Sequence, residues 1–254
     1  MLRKRAVVTP DKHFPYADIP AIKAVCKAIE LVEPNIYVDL GDTGEWEAFS
    51  KHKWRGKQKP PLEYLIDDFD RDVKNVNAGM DIIDEALDKV NCKEKYFCEG
   101  NHEEWLNYTV AEHPYLPQYL VSNALKLKER GYVYYPNGKY LDIDKLSFYH
   151  GNHYGGKYHT AAHLRELGCN VMYGHWHDLQ QMSATHMDGP KSAWSIGCLK
   201  DMSSDKNAWL GNRPINWAHA FAIVDFFKGG LFTVHIIQII KGKTSLWGEL
   251  IEGK

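Results

Sequence analysis

Apolar residues recur along the chain in two rhythms, short β-branched or aromatic runs and longer stretches with helical spacing, and their alternation predicts an α/β fold. Ala6 to Thr9 predicts a first strand. From Ile19 to Glu33, apolar residues at Ile22, Val25, Ile29 and Val32 follow a helical repeat that Pro34 closes. Ile36 to Leu40 predicts a second strand. Pro61 to Val90 carries Leu62, Leu65, Ile66, Phe69, Val73 and Val76, then Ile82, Ile83 and Leu87, which predicts either one long helix or two with the break at Gly79. Lys95 to Cys98 predicts a third strand, and a helix is expected near Gln118 to Arg130.

Beyond this point short strands are expected at Tyr132 to Tyr135, Lys139 to Ile143 and Leu146 to Tyr149, separated by turn residues. A helix around Tyr158 to Leu167 stops at Gly168. Strands follow at Val171 to Tyr173, Leu179 to Thr185, Ala193 to Ile196, His219 to Phe227 and Leu231 to Ile240, the last two joined by Lys228-Gly229-Gly230 as a hairpin. No internal repeat, low-complexity tract or linker interrupts the pattern. Residues 1–254 therefore read as a single domain, with a basic, aromatic and helical insertion at about 43–90.

Five polar clusters sit at the ends of predicted strands: Asp11-Lys12-His13, Gly41-Asp42, Gly100-Asn101-His102-Glu103, His150-Gly151 and Gly174-His175-Trp176-His177. Open α/β sheets gather ligands in the crevice beyond the strand carboxyl ends, so these loops can converge. Carboxylate, amide oxygen and imidazole are ligands that Mn, Fe, Ni, Zn or Mg accept, and the absence of thiolate from the set argues against a structural zinc knot. Each cluster alone has an ordinary reading as a turn or a satisfied polar group. Five in this order make a metal site the better account.

The composition changes the picture little. At 44% hydrophobic and 25% charged, the chain is of ordinary globular type, and its formal net charge of -2 excludes a global field that would drive binding to nucleic acid or membrane. Any polyanion contact must be local. Five cysteines without CxxC spacing read as buried free thiols of a reducing compartment. The basic start is followed by too short an apolar run for a signal segment, and no run approaches the roughly 18 residues of a membrane span. The expected location is the cytoplasm, with no membrane contact and no protein partner evident.

The five clusters together resemble the calcineurin-like metallophosphoesterase family, whose pattern is DxH, GDxxD, GNH(D/E), a later His often followed by Gly, and GHxH. The resemblance runs from Asp11 to His177. It implies a four-layer sandwich of two mixed β-sheets flanked by helices, and two divalent metal ions with Mn as the first choice. By this resemblance one ion is held by Asp11, His13 and His177, the other by Asn101, His150 and His175, with Asp42 bridging both. A bridging hydroxide would then attack phosphorus while His102 protonates the leaving group. Glu45 falls where the family's second acid orients that His, although a solvated helix-start glutamate is an equal reading. Protein phosphatases of the family carry an Arg directly before GNHE, and here that position is Glu99.

Substrate choice is less legible. Lys51-His52-Lys53-Trp54-Arg55-Gly56-Lys57-Gln58-Lys59 interleaves cations with Trp, as single-stranded nucleic-acid sites do, and equally suits a surface loop whose Trp packs on the domain. Lys53, Trp54 and Arg55 are its candidate contacts. Lys200 to Trp217, with Trp209 and Arg213, is either another wall of the cleft or an ordinary connection. His153, in a Gly-rich stretch after His150, is a further candidate. His159 and His163 have helical spacing, with no acidic partner evident, and are expected on a half-buried helix face. The leading expectation is a phosphodiesterase of nuclease type, resembling the family's compact nuclease-like branch and acting on a phosphodiester, with nucleic acid as one candidate. The alternatives are a phosphomonoesterase or small-nucleotide phosphodiesterase, cyclic nucleotides included, and a scaffold that keeps the fold without turnover.

Overall fold

A computed structural model describes residues 1–211 and 213–254. In chain order the elements are β1 (Leu2–Thr9), α1 (Ile19–Val32), β2 (Ile36–Asp39), α2 (Ile66–Lys89), β3 (Glu94–Cys98), α3 (Glu104–Glu112) and α4 (Val121–Ala124). Then come β4 (Tyr132–Tyr135), β5 (Leu141–Ile143), β6 (Leu146–Phe148), α5 (His159–Leu167), β7 (Asn170–Tyr173), β8 (Leu179–His186) and β9 (Gly189–Ile196). The chain closes with β10 (His219–Phe227), β11 (Phe232–Ile239), β12 (Lys243–Leu246) and β13 (Glu249–Glu252).

The strands form two large mixed sheets and a small hairpin. One sheet has the order β11-β10-β1-β2-β3-β4, the other β5-β6-β7-β9-β8, and β12 pairs with β13. Within the first sheet β1, β2, β3 and β4 run parallel, and in the second β6, β7 and β9 do. Strand alternation divides the core into layers. Ala6 and Val8 face Phe148, Met172 and Ile196 between the sheets. Val7 and Tyr37, on the opposite face, pack with Ile22, Val25, Ile83 and Leu87 of α1 and α2. On the far side of the second sheet, Leu164 of α5 packs with Val171 and Tyr173. Helices, sheet, sheet and helix are the four expected layers.

Local chemistry sets the element ends. The Asp18 side chain caps α1 by accepting from the Ala21 amide at 2.7 Å, and α1 ends at Glu33 in a left-handed conformation before Pro34. Two expectations need correction, and one is narrowed. Of the one or two long helices expected, the structure has one, α2, continuous through Gly79 from Ile66 to Lys89. The glycine is there because the Phe14 ring lies directly against it, where a Cβ would overlap the ring. The helix expected over Gln118 to Arg130 is a 3-10 turn at Pro117–Tyr119, the four-residue α4, and turns thereafter. His159 and His163 are fully buried rather than half-buried, because α5 packs against Tyr149, Val171 and Tyr173 on the far side of the second sheet.

The five cysteines are unpaired, and no helix among the described residues is long and apolar enough to cross a membrane. The arrangement carries one positional consequence. The loops after β1, β2, β3, β6 and β7 all leave the carboxyl ends of parallel strands, and they belong to two different sheets facing one another.

Gly79→Ala tests the packing account. Helix propensity alone would favour alanine by about 1 kcal/mol. The overlap with Phe14 should reverse that sign and destabilise the protein by about 1–3 kcal/mol in urea unfolding.

Candidate metal centre

Asp11 and His13 follow β1, Asp42 follows β2, Asn101 follows β3, His150 follows β6, and His175 and His177 follow β7. The fold brings them into two groups of facing donor atoms. In the first, His13 Nε2 lies 3.1 Å from His177 Nε2, which is 3.4 Å from Asp11 Oδ1. In the second, His150 Nε2 lies 3.0 Å from Asn101 Oδ1, 3.1 Å from His175 Nδ1 and 3.2 Å from Asp42 Oδ2. Asp42 Oδ2 is also 3.9 Å from His13 Nε2 and from His102 Nε2, so its carboxylate reaches both groups.

The chemistry of these donors fits divalent cations. Pairs of imidazole nitrogens facing each other at 3.1 Å, beside carboxylate and amide oxygens, converge lone pairs on a common point. Outer partners leave the inward nitrogens free. His150 Nδ1 donates to the Leu40 carbonyl at 2.9 Å, and His13 Nδ1 lies 2.9 Å from the Glu45 carboxylate. Burial pushes His13 down to about 4, so its ring is neutral at physiological pH, as a ligand must be. Against opposing burial, the Asp42 carboxylate pushes His150 up to about 9, so this ring must release a proton for an ion to bind.

The backbone that presents these groups is unusual. Asp11, His13, Asp42, His175 and His177 all have positive φ, between 27° and 65°. Asp, Asn and His tolerate this region better than branched residues, but each such conformation still stores on the order of 1 kcal/mol or more. The motif glycines serve close approach. A Cβ on Gly100 would overlap the Asp42 carboxylate, and one on Gly174 would overlap that of Asp11.

Three buried carboxylates, none of them among the expected ligands, hold the loops. Glu103 accepts from the amides of Asp42 (2.8 Å), Thr43 (2.9 Å), Gly44 (3.1 Å) and Gly100 (3.1 Å) and from Trp46 Nε1 (3.0 Å), tying the loop after β2 to the loop after β3. Asp39 Oδ1 accepts from Lys12 Nζ (2.8 Å), the Gly41 amide (3.0 Å) and Thr43 Oγ1 (2.9 Å), which links β1 to β2 beneath the centre. Asp178, directly after His177, accepts from His159 Nε2 (3.0 Å), Ser195 Oγ (3.0 Å), Gln180 Nε2 (2.7 Å) and Asn216 Nδ2 (3.0 Å). This gives His159 the acidic partner that its sequence surroundings do not reveal, and its ring stacks on Trp176 at 4.9 Å.

His102 stands at the rim, half-buried, with its ring 4.7 Å from His13 and 4.2 Å from Trp105. Its amide donates to Asp42 Oδ1 at 2.9 Å and its Nδ1 to the backbone carbonyl of Glu45 at 2.9 Å. The Glu45 carboxylate turns instead to His13 and to Lys200 Nζ, 2.7 Å away. Burial opposes its ionisation, but His13, His102 and Lys200 outweigh that and hold its carboxyl at about 2. Glu99 is also structural: it accepts from Asn107 Nδ2, the Tyr134 hydroxyl and the Asn137 amide.

The other candidates scatter. Trp54 packs inward against the helical layer of the core, with Lys53 Nζ 5.5 Å above its ring and Arg55 exposed. His153 is exposed and its ring packs against Tyr149 and Tyr154 rather than a ligand imidazole. Arg213 is exposed, its Nε donating to the Leu210 carbonyl, while the neighbouring Asn212 lies outside the described residues. The basic loop nevertheless borders the centre, because His52 meets Trp105 at 5.7 Å and the Trp105 ring packs at a tilt against His102.

No family model and no curated protein matches the sequence. Among solved structures, the chain is similar to a Vps29 single mutant from Entamoeba histolytica, with a TM-score of 0.50, 12% identity and 98% of each chain covered. It also aligns with Yfce, a phosphoesterase from E. coli, at a TM-score of 0.40 and 13% identity over 91% of this chain and 98% of that one. A dimetal phosphatase from Danio rerio aligns over 100% of each chain at a TM-score of 0.43 and 11% identity. The likeness to the Vps29 structure shows a shared fold, two mixed sheets flanked by helices, as the metallophosphoesterase resemblance leads one to expect.

Asp42→Asn should lower metal content at both positions when the protein is equilibrated with Mn and measured by elemental analysis. Content equal to wild type would remove the bridging assignment. Glu103→Ala leaves five buried donors without their acceptor and should cost about 3–5 kcal/mol of stability in denaturant unfolding.

Proposed function

We propose that the chain is a metal-dependent phosphodiesterase of nuclease type. The observation that carries this reading is the convergence of two oxygen and imidazole groups on a shared Asp42, with His102 held at their rim. Two divalent ions bound there, Mn the first to supply, would provide the Lewis acidity that neutralises phosphate oxygens and readies water for attack. The protein's own part is positional. Asp11, His13 and His177 would hold one ion, Asn101, His150 and His175 the other, and Asp42 both.

His102 supplies the proton. Its Nδ1–H is committed to the Glu45 carbonyl, which leaves Nε2 as the nitrogen that faces a leaving oxygen. Glu45 acts on His13 through its carboxylate and on His102 through its backbone, so one residue orients both rings.

Two features favour a diester over a monoester. A monoester brings a second negative charge, yet the two lysines packed beneath the centre, Lys12 and Lys200, are each paired with a carboxylate. The loop from Lys51 to Lys59 carries Lys51, Lys53, Arg55, Lys57 and Lys59 with no acid among them, and it reaches His102 through His52 and Trp105. That local field suits the backbone of a polyanion such as a nucleic acid. The unpaired cysteines favour a reducing compartment, the cytoplasm.

The test is the rate ratio of bis-p-nitrophenyl phosphate to p-nitrophenyl phosphate with excess Mn. A ratio well above one is expected, and a ratio below one would transfer the proposal to monoesters. His102→Ala should keep its metal and lose roughly 10²- to 10⁴-fold in turnover, more for a phenyl than for a p-nitrophenyl leaving group. Equal losses on both esters would remove His102 as the acid. Hydrolysis of neither ester by the wild-type protein would favour a scaffold.

A further inference from the structure

The connection from Lys200 to Trp217 is rooted in the centre at both ends. At its start, Lys200 is buried against Glu45 and its carbonyl accepts from His219 Nε2 at 2.8 Å. The Asp201 amide donates to the Tyr16 carbonyl at 2.7 Å, and buried Asn207 braces the turn by donating to the carbonyls of Asp201 and Ser203. At its end, Trp217 bridges to Asp178, Asn216 donates to the Asp178 carboxylate, and the Ala218 amide donates to the His177 carbonyl at 2.9 Å. The residue that places His177 therefore also places Trp217.

The result is a step of two indoles leading outward from a candidate ligand. The Trp217 ring lies 4.4 Å from that of His177, and Trp209, on the 3-10 turn Ala208–Leu210, lies 6.2 Å from Trp217. Trp217 is half-buried, whereas Trp209 is 66% exposed. An indole is the largest apolar side chain, and one left open to solvent on a braced turn beside a reaction centre is a stacking surface without its partner. The rings run in the order His102, His13, His177, Trp217, with centroid steps of 4.7, 5.0 and 4.4 Å. The ledge is thus separated by two imidazoles from the group that protonates the leaving oxygen.

We infer that Trp209 and Trp217 form a subsite that stacks the nucleobase of the nucleoside retained on the scissile phosphate. Base faces stack on indole irrespective of sequence, so this subsite selects for a nucleoside without selecting a particular base. The basic loop near His102 takes the backbone on the leaving side, and the ledge takes a ring on the other. The inference rests on the phosphodiesterase reading and narrows it to nucleoside esters.

Two esters with one leaving group separate the contributions: thymidine 5′-(p-nitrophenyl phosphate) and methyl p-nitrophenyl phosphate, assayed with Mn on the full chain. Wild type should show the lower KM for the thymidine ester. In Trp209→Ala the ratio of the two KM values should move toward one by roughly tenfold, and Trp209→Phe should restore most of it. A ratio that stays at its wild-type value in Trp209→Ala overturns the subsite, including the case in which Trp209 serves a protein partner. If wild type hydrolyses neither ester, the phosphodiesterase reading fails, and the ledge is read directly from tryptophan fluorescence. Saturable quenching by a short oligothymidylate that Trp209→Ala abolishes would sustain it, and identical titrations of the two proteins would overturn it.

Discussion

The structure depends on holding the candidate ligand residues in a backbone conformation that they do not favour. Asp11, His13, Asp42, His175 and His177 all sit at positive φ, which turns their side chains back from the strand ends toward one another. Such strain persists only where the surroundings over-determine it. Here the surroundings are three buried carboxylates. Glu103 gathers amides from two loops, Asp39 joins Lys12 to the loop after β2, and Asp178 anchors the two-histidine loop to α5, β8 and β9.

The layered architecture explains why two sheets are needed. A single parallel sheet offers one row of strand ends, which places loops side by side. Facing β1, β2 and β3 with β6 and β7 across a shared apolar layer lets loops approach from opposite sides. His150, from the second sheet, can then donate to the Leu40 carbonyl of the first, and the His175 amide can donate to Asp11. The apolar sandwich sets the spacing, and these polar contacts set the orientation.

Much of this was legible in the sequence, and the divide between what was and was not is physical. Periodicity reports burial on one face, so most strands and the helices α1, α2 and α5 could be placed from it, and the five polar loops stood out because each interrupts an apolar run. What periodicity does not carry is contact between distant segments. The Gly79 backbone reads as a break until Phe14 is seen against it. Lys200 and Glu45, 155 residues apart, meet because their segments bridge to the same loop after β1, Lys200 at Ala17 and Gly44 at Phe14, and Asp178 finds His159 only through the packing of α5. The helix α3 was missed because it begins within a polar motif, and the closing hairpin β12-β13 because Lys243–Leu246 and Glu249–Glu252 mix charged residues into what would be an apolar run. Glu45 was expected to act through its carboxylate on His102, whereas the contact is made by its carbonyl, a group common to every residue and therefore silent in sequence.

The left-handed backbone at the ligand positions also changes what an alanine scan there would measure. Alanine removes the ligand atom and, at the same time, replaces a residue that tolerates positive φ with one that tolerates it less. Loss of function and loop relaxation would then be recorded as a single number. Asparagine and glycine, which accept the same backbone region, form the reference pair that separates them. At these five positions the alphabet of tolerated residues is narrow for reasons that precede any chemistry.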